Sequence, residues 1–281
     1  MPVAGGLATG GLRYADQVGA EVIQVFIGSP RTWATPTGNP WEDEQLRTEA
    51  ARRRLSVFVH APYLINLGTP SPATLARSVA SLHHCLRRST VIGATGVVLH
   101  TGSAVHPGTR DRAMHQVREA LLPLLAELDE VAETAGSAPW LLLEPSAGTA
   151  NALASRVEDL GPYLEALDHH PRLGVCLDTC HAFAAGHDLA APGGLKRTLD
   201  TLVKSVGKGR LRLVHANDSK DPAGSGRDRH ASIGQGRIGA EAFAELFRHP
   251  GTSGVPIVVE TPGQAGDHRR DIELLADLRA R

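Results

Sequence analysis

Seven short apolar runs, at 21–28, 56–61, 96–102, 140–144, 173–178, 211–216 and 255–261, alternate with longer stretches of helical spacing. The runs are rich in Val, Ile and Leu with little polar alternation, which marks parallel strands buried on both faces. The stretches between them, such as 71–93, 109–136 and 152–167, carry Ala, Leu, Glu and Arg at helical spacing. This βαβα rhythm predicts a parallel sheet covered by helices. A chain of 281 residues with 42% hydrophobic residues fits one α/β barrel of the (β/α)8 TIM type. No linker or low-complexity tract divides it, so residues 1–281 are read as a single barrel domain. Segments 35–40 and 222–226 read as loops.

Six of the seven runs carry a metal-competent side chain at or beside their C-terminal end: His60, His100, Glu144, Asp178, His215 and Glu260. In a barrel, all C-terminal strand ends meet at one rim, so these six side chains are expected to converge. A lone histidine after a strand is usually a cap or a core residue. Six metal-competent groups at one phase of the repeat form a constellation. His181 lies just past the fifth run, and Asp228 and His230 lie on a glycine-rich loop after the sixth. The nine comprise five His, two Asp and two Glu. Mixed imidazole and carboxylate donors favour zinc, with manganese or iron left open. Nine ligands exceed the needs of one ion. Three sites of about three ligands each, sharing a carboxylate, account for them economically.

Composition sets limits on the rest. Lys plus Arg number 29 against 30 Asp plus Glu, a formal charge of −1, so the chain does not coat nucleic acid through bulk charge. Cys85, Cys176 and Cys180 form no CxxC pair and no disulfide framework, as expected in a reducing compartment. No run of 18 apolar residues and no signal-like N-terminus occurs. The expectation is a cytoplasmic protein with no membrane partner.

The motifs resemble those of the endonuclease IV family of zinc-dependent apurinic/apyrimidinic endonucleases. The likeness runs from Val3 to about Thr261. It rests on His60-Ala-Pro-Tyr-Leu-Ile-Asn-Leu67, Leu99-His100-Thr-Gly-Ser103 and Gly174-Val-Cys-Leu-Asp-Thr-Cys-His-Ala-Phe-Ala-Ala-Gly186. It continues through His215-Ala-Asn-Asp-Ser-Lys220, Asp228-Arg-His-Ala-Ser-Ile-Gly-Gln-Gly236 and Val258-Val-Glu-Thr261. The resemblance implies three zinc ions. It assigns His60, His100 and Glu144 to one, and Glu144, Asp178, His215 and Glu260 to a second. His181, Asp228 and His230 take the third. It further implies hydrolysis of duplex DNA 5′ to an abasic site, leaving a 3′-hydroxyl and a 5′-deoxyribose phosphate, with trimming of blocked 3′ ends. Glu260 and Glu144 are then the catalytic carboxylates. Arg31, Tyr63 and Leu64 are the DNA-binding side chains, on rim loops from which a ring or a branched chain can enter the duplex. Three divalent ions would move the formal charge from −1 to +5, supplying a positive field that the amino acids lack. A monomer is expected.

The rival reading is a metal-dependent sugar isomerase or epimerase of the same barrel superfamily, which would leave His181, Asp228 and His230 without a task. A non-catalytic DNA-binding or metal-storage protein is disfavoured because all nine positions of the pattern are filled. Two departures stand out. Family chains open with a short strand before a Gly-Gly-Leu turn, whereas Met1 here almost abuts Gly5-Gly6-Leu7. The first strand is therefore expected to be missing, through a start codon placed too far downstream. The loop after Glu144 reads Pro-Ser-Ala-Gly-Thr-Ala-Asn where the family prefers a second glycine. The pairs His83-His84 and His169-His170 read as solvated surface, Arg52-Arg53-Arg54 as a solvated helix end and Cys180 as a packed thiol. Lys220 and Arg229 are candidates for phosphate contact.

Overall fold

The structure is a computed structural model describing residues 5–281. Its elements run α1 (Thr9–Val18), β1 (Val22–Val25), α2 (Pro40–Arg53), β2 (Ser56–His60), α3 (Pro72–Val91), β3 (Gly96–His100), α4 (Arg110–Ala135), β4 (Trp140–Glu144), α5 (Leu160–Ala166), β5 (Leu173–Asp178), α6 (Thr179–Ala184), α7 (Gly194–Val206), β6 (Leu211–His215), β7 (Asp218–Ser219), β8 (His230–Ala231), α8 (Ala240–Arg248), β9 (Ile257–Val258) and α9 (Ala265–Ala280). All seven apolar runs become strands of one parallel sheet in the order β1-β2-β3-β4-β5-β6-β9, wrapped by the helices as a TIM barrel. The short β7–β8 hairpin, a separate antiparallel pair, stands on the loop after β6.

Register carries the ligands to the rim. His100 pairs with Glu144 across β3–β4, and Asp178 with His215 across β5–β6. The second match depends on a register shift at Val175/Cys176, a bulge of the kind that re-aims side chains beside functional sites. Alternate strand residues point inward. Phe58, Val98, Leu142, Cys176, Leu213 and Val258 fill the barrel interior beneath the rim. Their neighbours, Val57, Val97, Leu141, Val175 and Val214 among them, pack outward against the helices. Both faces are buried, so the runs lack polar alternation. Leu142 has its room because Gly96 and Gly174 flank it. A Cβ on Gly174 would stand 2.7 Å from Leu142 Cδ2.

β1 and β9 are the two ends of the sheet and are not paired with each other. Between them lies a cleft of about 730 Å³ lined by Val22, Gln24, Ile257 and Val259, with Tyr14 and Leu275 from the flanking helices. The expectation that the family's first strand is missing ahead of Gly5-Gly6-Leu7 bears on Met1–Ala4, which lie outside the described residues. The run at 255–261 gives only a two-residue strand, paired with β6. The helix expected over 152–167 begins at Leu160, after a single 3₁₀ turn at Val157–Asp159. Residues 152–156 run against the loop after β3 instead: Leu153 N–H donates to the Gly102 carbonyl, and Asp159 Oδ2 accepts from the N–H groups of Ser155 and Arg156.

Leu142 has no exposed surface and lies in the layer directly under the metal-competent rim. Leu142→Ala is expected to lower unfolding free energy by about 2–5 kcal/mol, read by chemical denaturation, through lost burial and an unfilled cavity.

Candidate metal centre

Glu144, fully buried at the end of β4, is the hub. Its Oε2 lies 3.3 Å from His60 Nε2 and 3.2 Å from His100 Nε2, while its Oε1 lies 3.0 Å from His215 Nδ1. His60, His100 and Glu144 form one group whose donor atoms all lie within 4.8 Å of one another; Glu144, Asp178, His215 and Glu260 form a second. Asp178 also groups with His181 and His230, so it stands between the second cluster and the third. Asp228, on the more exposed side, completes the third: its carboxylate is 3.3 Å from His181 Nε2 and 3.0 Å from His230 Nε2. All nine sequence-selected residues therefore converge.

Backbone carbonyls preset three of the imidazoles. A carbonyl only accepts, so His60 Nδ1 donates to Ala61 O (2.7 Å), His181 Nδ1 to Pro145 O (3.0 Å) and His230 Nδ1 to Glu260 O (3.1 Å). Each ring thereby turns Nε2 toward the carboxylates, as metal-ligating histidines do. His230 Nε2 is buried and makes no hydrogen bond, although Asp228 is near. A buried ring nitrogen without a hydrogen bond, aimed at shared space, fits a cation-binding role. A donor set made mainly of imidazole and carboxylate, with the Cys176 and Cys180 thiols beside it held in the protonated form by burial, fits zinc.

Charge is held in balance by proximity. Burial opposes ionisation of Glu144, yet the His215 and His100 rings outweigh it and keep its carboxyl well below the usual range. Burial would also depress His181, but Asp178, Asp228 and Glu144 raise it to about 10; the same contest, won by Asp178 and Asp228, brings His230 to about 9. Asp228 is lowered far below an ordinary carboxyl because the adjacent His181 and His230 rings overcome its desolvation. Without metal, protons occupy the positions that cations would take.

Several residues that sequence reading passed over hold this arrangement. Asn217, wholly buried, donates through Nδ2 to Asp178 Oδ2 (2.7 Å) and accepts the Glu260 backbone N–H at Oδ1 (2.7 Å). Thr179 Oγ1 donates to the Asn217 carbonyl at 2.7 Å. Asp218, also wholly buried, accepts the N–H groups of Ser219, Gly234, Gly236, Ile238 and Gly239, which folds the loop following His230. Gln24 bonds both His215 and Glu260. The available signal was polarity out of place: Gln24 is the one polar residue of β1, and Asn217-Asp218 directly follow a buried strand.

Arg31, Tyr63 and Leu64 all lie exposed on the rim loops. Tyr63 and Leu64 are 46% and 36% exposed, and Tyr63 stacks on His100 with ring centroids 5.6 Å apart. Tyr63 N–H donates to Pro30 O (3.0 Å), tying its loop to the one that carries exposed Arg31. Burial pushes the Tyr63 hydroxyl up to about 12, reinforced by Glu260 and Glu144. In the loop after Glu144, Gly148 takes positive φ, and Asn151 takes a left-handed turn at φ 59 with its Nδ2 donating to Val105 O.

Other readings need amendment. His83 and His84 are half-buried rather than solvated, with His83 against Glu127, and His170 is half-buried beside Asp129; His169 is exposed. Arg229 is committed to Asp221 through two 2.6 Å bonds, which occupies the fork expected to meet phosphate; Lys220 is exposed. Arg52 and Arg53 pair with Glu49, as a helix end would. Cys180 is buried, and burial raises its thiol to about 12, consistent with packing.

A parallel barrel with such a rim defines a metal-binding TIM barrel, and comparison with known proteins narrows the class. A family model described as a xylose isomerase-like TIM barrel matches residues 12–278. The probable endonuclease 4 of Streptomyces avermitilis is 56% identical over 279 residues, covering 99% of this chain and 88% of that protein. Its counterpart in Chloroflexus aurantiacus is 37% identical over 99% of this chain and 96% of its own. Endonuclease IV from Thermus thermophilus superposes with a TM-score of 0.79 at 33% identity, over 96% of this chain and 93% of its own. The chain belongs to the endonuclease IV family. A D-tagatose 3-epimerase-like protein, at 19% identity and a TM-score of 0.64 over 92% of this chain and 88% of its own, shares the fold.

The raised histidines give a pH signature. A His whose folded pKa exceeds its ordinary 6.5 contributes stability that is complete below 6.5 and lost as pH rises through the folded value, here about 9 to 10. Chelator-treated protein should therefore melt at falling temperature from pH 6.5 to 10. Bound metal replaces those protons, so its affinity should rise over the same window and the zinc-loaded melting temperature should hold.

Proposed function

We propose that the chain is a base-excision repair endonuclease that hydrolyses duplex DNA 5′ to an abasic site and trims blocked 3′ ends. The observation that carries this reading is the gathering of nine imidazole and carboxylate side chains into three adjoining groups, beside the exposed Tyr63–Leu64 pair. The names and structures of the relatives support it. The sugar epimerase reading has only a shared fold in its favour and gives His181, Asp228 and His230 no work.

Three zinc ions fit the groups: His60, His100 and Glu144; Glu144, Asp178, His215 and Glu260; His181, Asp228 and His230. Bound there, zinc supplies hydroxide from water at neutral pH and neutralises phosphate charge. The chain's own residues do the remainder. Glu144 keeps two groups at a fixed spacing. Glu260, whose side chain is 21% exposed, takes the water proton as the oxygen bonds to phosphorus and the bond to the 3′ oxygen breaks. Tyr63, Leu64 and Arg31 enter the stack where a base is missing and sense the lost stacking rather than base edges. We further read residues 1–281 as one barrel domain acting as a monomer in the cytoplasm, at the nucleoid. Among the described residues no helix is long and apolar enough to cross a membrane.

The decisive assay is a duplex with a single abasic analogue. Cleavage 5′ to the analogue that a strong chelator abolishes and zinc restores is expected; cleavage of intact duplex at the same rate would refute the reading. Elemental analysis should give about three zinc ions per chain, and a value near one would refute the trinuclear centre. Glu260→Gln should slow turnover by roughly two to four powers of ten while DNA binding largely survives. Tyr63→Ala and Arg31→Ala should each weaken abasic-duplex binding by about 1–3 kcal/mol at unchanged zinc content. A fall in melting temperature without selective loss of binding would mark them as packing residues.

A further inference from the structure

Three of the rim histidines are oriented by the backbone, which no side-chain replacement deletes. His215 is held differently. Its Nε2 lies 2.9 Å from Oε1 of Gln24, and the other end of the same amide, Nε2, donates to Glu260 Oε1 at 2.7 Å. Gln24 is the inward-facing residue of β1, paired with Phe58 of β2 and only 8% exposed. Its orientation is forced by chemistry. The Glu260 carboxylate only accepts, so the NH₂ must face it; reversing the amide would set two acceptors 2.7 Å apart. The amide oxygen then faces His215, so His215 must donate from Nε2. That turns Nδ1 toward the cluster, where in the metal-free chain it donates to Glu144 Oε1 at 3.0 Å and lies 3.2 Å from Glu260 and 3.8 Å from Asp178. His215 thus meets its cluster through Nδ1, whereas His60, His181 and His230 present Nε2.

We infer that Gln24 is a positioning residue of the metal centre: one amide fixes the tautomer of His215 and restrains Glu260, coupling two ligands of the same ion. The inference deepens the proposed function and rests on its assignment of His215 and Glu260 as ligands. The partner that orients a ligating histidine is worth about 10–100-fold in metal affinity. Here one side chain of β1 restrains two ligands, one at the end of β6 and one just past β9.

The test uses the whole zinc-loaded chain and does not depend on DNA cleavage. Zinc release against graded chelator is measured for wild type, Gln24→Leu and Gln24→Glu, together with the imidazole signals in long-range ¹H–¹⁵N spectra. Gln24→Leu is expected to release one zinc class roughly 10–100-fold more readily, and to lose the slowly exchanging His215 Nε2 proton. Gln24→Glu retains an acceptor for that proton but sets a carboxylate against Glu260, so the proton signal should survive while zinc is still held more weakly. Should the Leu variant fail to fold, the Glu variant carries the comparison. Wild-type affinity in Gln24→Glu, or in Gln24→Leu with the His215 proton unchanged, overturns the inference, as does zinc loss that merely follows the unfolded fraction. A wild-type chain with no zinc at this cluster overturns both the inference and the metal assignment. Normal zinc behaviour without abasic-site cleavage overturns only the proposed function.

Discussion

A carboxylate with no exposed surface must be compensated, and Glu144 sets that demand for the whole rim. An unpaired charge at its depth would cost several kcal/mol. It is answered by imidazoles from β2, β3, β6 and the start of α6, with two further carboxylates, Asp178 and Glu260, sharing the same neighbours. Too many acceptors surround too few fixed cations for the group to be settled internally. Protons on His181, His215 and His230 fill the deficit in the metal-free chain, and divalent ions answer it better.

Orientation comes from a layer beneath the ligands. Ala61, Pro145 and Glu260 carbonyls turn three rings, Asn217 ties Asp178 to the Glu260 backbone, and Asp218 gathers four N–H groups from the loop that follows His230. Almost every one of these partners lies at, or just past, a strand end. The barrel thereby supplies five of the ligands, His60, His100, Glu144, Asp178 and His215, from the last residues of parallel strands, and the other four and the groups that aim them from the segments that follow strand ends. The bulge at Val175/Cys176 belongs to the same design, since it sets Asp178 opposite His215.

The loops above the rim serve a different purpose. Tyr63 rests one face on His100 and leaves nearly half its surface free, so its ring is anchored by the metal cluster and available to a substrate. The Tyr63–Pro30 bond holds the Arg31 loop beside it. Arg229, in contrast, spends its guanidinium on Asp221 and stiffens the loop that carries Asp228.

The spacing of the sequence was enough for the seven parallel strands and for six of the nine convergent residues, with His181, Asp228 and His230 added by their places just past strand ends and by the family motifs. A strand-helix period of about forty residues puts like positions at one rim whatever the details of packing, and His60, His100, Glu144, Asp178, His215 and Glu260 share that phase. Local pattern also exposed Tyr63 and Leu64. It could not show that residues 152–156 lie along the loop after β3, because that path is set by bonds to Gly102 and Ser103 far away in the chain. Nor could it show that Arg229 is taken by Asp221, that His83 is half-buried against Glu127, or that Asp178 stands between two clusters. Gln24 is a single polar letter in an apolar run and Asn217-Asp218 open a polar one, and apart from Ser219 beside Asp218 the side-chain partners that matter lie 16 to 236 residues away. Periodicity determines which residues reach the rim; which atom of each faces the metal is fixed only when hydrogen bonds close between strands distant in sequence.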